Sequence, residues 1–99
     1  MKILVKEYVQ SCLTRNRGKD FFGKMVVIDT EEYVIDFSDI SHVSTSFLDE
    51  SVWKLVEMGK TVTIYDPNEV VINQLNLIKK WKQPEFRIVE KTPYIEFAA

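Results

Sequence analysis

The chain has 99 residues, with 13 basic and 15 acidic side chains and a formal net charge of −2 when its one histidine is neutral. That length suits a single domain over residues 1–99, and 45% apolar residues with three glycines and three prolines exclude a disordered or low-complexity chain. The near balance of charge argues against a general nucleic-acid or anionic-membrane binder, which sets a basic stripe against phosphates.

Cys12 is the one cysteine, so no internal disulfide is available and nothing suggests a stapled secreted scaffold. The first ten residues hold just three consecutive apolar side chains, Ile3 to Val5, too few for the core of a signal peptide. No apolar run nears the ~18 residues that span a bilayer. These features lead us to expect a cytoplasmic protein.

Ile3, Leu4 and Val5 form a short β-leaning run, the first strand. A helix is expected from about Thr14, a suitable cap, to Val26, with Phe21, Phe22, Met25 and Val26 as its apolar positions. Gly18 and Gly23 weaken it by up to ~1 kcal/mol each relative to alanine, and Met25 to Ile28 reads equally as the helix end or as a hairpinned strand. Tyr33 to Phe37 is β-branched and aromatic, with an apolar character on both faces that suits a central strand covered by helices. A polar stretch follows from Ser38 to Ser46. Phe47, Leu48, Val52, Leu55 and Val56 then return at helical spacing, and Gly59 fits the C′ position that ends that helix.

Thr61 to Tyr65 alternates into another strand. Asp66 as N-cap, Pro67 at the first helical position and Glu69 closing a capping box predict the start of the next helix. Val70, Val71, Leu75 and Ile78 supply its apolar face, and Lys79, Lys80 and Lys82 lie where the helix dipole favours cations. Pro84 ends it, Phe86 to Val89 is a final strand, and Tyr94 to Phe97 reads as a docked tail or an edge extension. The rhythm β-α-β-α-β-α-β predicts an α/β fold: a four- to five-stranded, mostly parallel or mixed sheet packed with about three helices.

In such sheets ligands bind beyond the carboxyl ends of the strands. The Ser38–Ser46 loop carries five hydroxyls and His42. Ser44, Thr45 or Ser46 caps the following helix, and the same helix start favours a phosphate, bound or covalently attached. Enzyme patterns fail on spacing. Cys12 is followed six residues later by Gly18, where a Cys-x5-Arg phosphatase loop needs arginine, and Asp36 and Asp39 are too far apart for an Asp-x-Asp phosphotransfer strand. No glycine-rich phosphate loop is present, one histidine with one cysteine cannot build a zinc site, and the neighbours Asp49 and Glu50 point to different sides of a helix. A hydroxyl-rich loop could hold a flavin phosphate, but the chain leaves little to cover the flavin. No catalytic, metal or cofactor set is expected.

The stretch from Val34 to Glu50 resembles the STAS domains of sulfate transporters and anti-sigma factor antagonists, and is more similar still to a STAS-like family of unassigned function. The shared features are Asp36-Phe37 ending an apolar strand, Ser44-Thr45-Ser46-Phe47, the acidic pair Asp49-Glu50, and upstream Thr14-Arg15-Asn16-Arg17-Gly18. The likeness runs over roughly residues 14–90. It implies a non-enzymatic regulatory module that works by partner switching, in which a phosphate on a loop hydroxyl blocks docking. Setting Leu48 on the motif leucine puts Thr45 on the phosphoacceptor, Ser46 on the second hydroxyl, Ser44 on the motif aspartate and Phe47 on the motif glycine. The implied partner is a histidine-kinase-like ATPase or an anti-sigma factor. Ser41, His42, Phe47, Asp49, Glu50 and Trp53 form the expected interface. Trp53 is its aromatic anchor or, as the alternative, packs against the sheet. Two other readings stand beside this one. The first is a small-ligand or nucleotide-phosphate binding module using the same loop. The second is a nucleic-acid surface of Arg15, Arg17, Lys19 and Lys24, against which a solvated helix face interrupted by Asp20 is the simpler account.

Overall fold

A computed structural model of the protein describes residues 2–82, 87–91 and 94–98. Three parallel strands, β1 (Lys2–Leu4), β2 (Glu32–Asp36) and β3 (Thr61–Tyr65), lie side by side in chain order. The last two, β4 (Arg87–Lys91) and β5 (Tyr94–Ala98), pair antiparallel, and β5 inserts between β3 and β4, giving the order β1-β2-β3-β5-β4. The Tyr94–Phe97 segment is therefore an inner strand and not an edge, a correction to the reading of it as a tail. It returns antiparallel immediately after β4, so it can reach β3, whose free side the parallel strands leave open.

In register, Ile3 pairs with Ile35, Ile35 with Ile64, and Tyr33 with Val62, and all five are buried. They share one face because side chains alternate along a strand. Lys2, Leu4, Val34, Thr63 and Tyr65 alternate to the other face and keep partial or full exposure. Right-handed crossovers that advance in one direction put their helices on one side, so β2 is covered on one face and not on both. On the open face the Lys2 ammonium sits 3.8 Å from the centre of the Tyr65 ring and 3.2 Å from Asp36 Oδ2.

One extra turn, α1 (Val5–Tyr8), follows β1 directly. Helix α2 (Arg15–Val26) starts where expected: Thr14 Oγ1 accepts the Arg17 N–H at 3.1 Å. Met25 and Val26 belong to this helix, which resolves the open reading of that segment. The helix after the Ser-rich loop is broken into α3 (Thr45–Glu50) and α4 (Val52–Glu57) at Ser51, whose buried hydroxyl donates to the Phe47 carbonyl at 2.7 Å. Gly59 ends α4 with φ +82°, and the N–H groups of Gly59 and Lys60 bond to the carbonyls of Val56 and Leu55, closing a Schellman motif.

Helix α5 (Glu69–Lys82) begins two residues later than the capping-box pattern predicts. Asp66 adopts φ +50° and cannot cap, since a capping residue is extended. Asn68 caps instead: its Oδ1 accepts the Val71 N–H at 3.0 Å and its carbonyl accepts from Ile72. Helix α3 packs against α2, α4 and α5, so the helices form one layer over the sheet.

Candidate functional site

Strand β2 ends on Asp36, which is buried yet charged. Burial disfavours the carboxylate, but hydrogen bonds from the Ser38 hydroxyl and N–H and the ammonium of Lys2 outweigh it and hold its pKa below the usual value. Asp39 then turns the chain with φ 64°, a conformation that aspartate tolerates. Two ties fix the loop beyond it. Asn68 Nδ2 donates to the Ile40 carbonyl at 2.7 Å, and the Ser44 N–H donates to the Cys12 carbonyl at 2.9 Å. Ser44 is consequently held at the entrance of α3, where its hydroxyl accepts the Phe47 N–H at 3.0 Å. Of the three candidate hydroxyls, Ser44 is the cap.

Thr45 and Ser46 follow in the first turn, half-exposed. Together with Asp49 one turn on, Arg15 of α2 and Trp81 of α5, they line an open groove of about 400 Å³. Arg15 Nη1 is 3.2 Å from Asp49 Oδ2 and 2.5 Å from Glu50 Oε1. The hydrogen bonds to Glu50 and then Asp49 raise the guanidinium pKa further, so Arg15 stays charged at all working pH values. Behind this fork, Gly18 allows α2 to lie directly on α3. A Cβ there would fall 2.6 Å from the Phe47 carbonyl oxygen and 3.0 Å from Glu50 Cβ. The Thr14–Gly18 and Ser44–Glu50 stretches thus meet in space and hold each other.

The expected hydroxyl and interface residues beyond Ser44 separate into three groups. Thr45, Ser46 and Asp49 line the groove, with Glu50 bonded to Arg15. Ser41 and His42 are exposed but line a different, smaller depression with Cys12 and Leu13. Phe47 is a correction, and Trp53 takes the packed alternative and not the anchor one. Phe47 is fully buried and stacks on Phe21 with ring centres 5.7 Å apart, and Trp53 keeps 7% of its surface. Both point inward because α3 and α4 must cover the sheet with their apolar faces, so neither side chain is offered to a partner.

The exposed tryptophan is Trp81, 61% accessible, with Leu77 one turn before it at 40%. The sequence signal existed: on α5 the buried stripe runs Val71, Leu75, Ile78, and Trp81 falls beside it within a lysine-rich turn that reads as ordinary dipole compensation. Arg15, grouped by sequence with a basic helix face, is instead consumed by Asp49 and Glu50, while Lys24 bonds to Asp20 and to the Tyr8 carbonyl. Burial pushes the Cys12 thiol up to about 11, away from nucleophile chemistry. Among the described residues no group of three or more His, Cys, Asp or Glu side chains could hold a metal ion, and no helix is long and apolar enough to cross a membrane. No family model, no curated protein and no solved structure matches the chain.

Proposed function

We propose that this chain is a non-enzymatic STAS-like regulatory module that docks a protein partner through the surface at the start of α3, with Thr45 as its phosphoacceptor. The supporting observation is the division of labour among the loop hydroxyls. Ser44 takes the cap, while Thr45 and Ser46 line an open groove on a packed helix beside Arg15. Side chains carried by a braced helix are presented in a fixed geometry, which docking requires. A phosphate on Thr45 would add about −1.5 to −2 charge next to a guanidinium already shared by two carboxylates, and would compete for it. The groove would then present a different charge pattern to the partner. That partner is an ATP-binding, histidine-kinase-like protein or an anti-sigma factor, met in the cytoplasm.

The test is incubation with a histidine-kinase-like ATPase encoded beside its gene. With ATP, the intact mass should rise by one phosphate, Thr45→Ala should not be modified, and the unmodified chain should hold the ATPase in a complex that the phosphorylated chain releases. If the chain is not modified and forms no complex, the proposal is overturned.

A further inference from the structure

We infer that Arg15 receives the phosphate on Thr45 within the same chain, through the side of its guanidinium that the carboxylates leave unused. This rests on the reading of Thr45 as phosphoacceptor and deepens it, by naming what holds the modified state. An arginine carries five N–H donors in a planar fork. Both ion pairs of Arg15 run through one nitrogen, Nη1, to Asp49 Oδ2 and to Glu50 Oε1. Among the described residues no acceptor engages its Nε or Nη2.

The placement of Thr45 suits these spare donors. Thr45 and Asp49 stand four residues apart on α3, so their side chains are neighbours on one face of that helix. Arg15 is bonded to Asp49 and lines the same groove as Thr45, and its side chain keeps 48% of its surface. A phosphate on Thr45 would bring three acceptor oxygens and about −1.5 to −2 charge beside the Asp49 carboxylate, where like charges repel. A guanidinium between the two offsets that repulsion, and its fork pairs bidentately with a phosphate. The competition for Arg15 need not displace the carboxylates, because Nη1 stays with them while Nε and Nη2 take the phosphate. Asp49 and Glu50 thus hold the guanidinium in position for its second acceptor. The contact ties α2 to the first turn of α3 and withdraws Thr45 and Arg15 together from a partner.

The experiment places phosphothreonine at position 45 during synthesis of the intact chain, with no kinase, and follows its phosphorus resonance against pH with and without Arg15→Gln. With Arg15 in place, the phosphate should become a dianion about one pH unit lower than in the Arg15→Gln chain, a tenfold difference in its acid constant. The Arg15 Nε–H resonance should move with the same midpoint, a readout that needs no variant to fold. Equal midpoints in the two chains, or an Arg15 Nε–H signal indifferent to the phosphate, would overturn the inference. Equal midpoints that are both low would assign the phosphate to another cation and overturn it as well. Since no kinase supplies the phosphate, the two proposals fail separately. If the ATPase neither modifies nor binds the chain while the midpoints differ, the docking reading falls and the Arg15 contact stands. If the ATPase modifies and releases the chain while the midpoints coincide, the docking reading stands and the Arg15 contact falls.

Discussion

Asp36 sits at the carboxyl end of β2, almost wholly buried, and its charge is maintained by Ser38 and Lys2. Since its folded pKa lies below the ordinary value of 3.8, its ionisation stabilises the fold at every pH above that value. As the pH drops from there through the folded pKa, the unfolded chain takes up a proton first and the stabilisation is lost. Urea unfolding followed from about pH 7 to about pH 3 should show this decline, and Asp36→Asn should be less stable at neutral pH with a shallower decline. An unchanged slope would show that Lys2 and Ser38 do not hold the carboxylate as described. Residue roles of this kind were only partly legible in the sequence. Ser44, Thr45 and Ser46 have nearly equal intrinsic capping ability, and the choice among them is made by the Ser44 N–H bonded to the Cys12 carbonyl, a tie across more than thirty residues of chain.

The elements themselves follow local chemistry where local chemistry is sufficient. Thr14 caps α2 and Gly59 closes α4, because each demand is met within a few residues. The shift of the α5 cap to Asn68 was not legible, since it answers to a distant partner: Asn68 reaches back to Ile40. The two glycines of α2 make the contrast measurable. Gly18→Ala puts a methyl group against the Phe47 backbone and should cost about 1–3 kcal/mol, whereas Gly23→Ala meets no atom within 4 Å and should gain about 0.5–1 kcal/mol. Urea midpoints of the two variants decide this. A Gly18→Ala protein as stable as wild type would mean that α2 and α3 are not locked at the groove.

For the whole molecule, the alternating rhythm predicted an α/β sheet with helices against it, and the described structure has that architecture. Helices over one face alone and β5 lying inside β4 are long-range outcomes of strand pairing that no local period encodes. The same holds for the site. Thr45, Ser46 and Asp49 were identifiable from one contiguous stretch, but Arg15 and Trp81 reach the groove from helices at opposite ends of the chain. The sequence therefore favoured Trp53, the tryptophan nearest the loop, which the core consumes. The account's central claim is that the α2–α3–α5 surface is where a protein partner docks. Amide and indole N–H shifts of the isotope-labelled chain, recorded as unlabelled histidine-kinase-like ATPase is added, test it most directly. Changes concentrated at Arg15, Thr45, Ser46, Asp49 and the Trp81 indole are predicted. Changes at Lys2, Thr63 and Tyr65 on the open sheet face, with the groove unmoved, would contradict it.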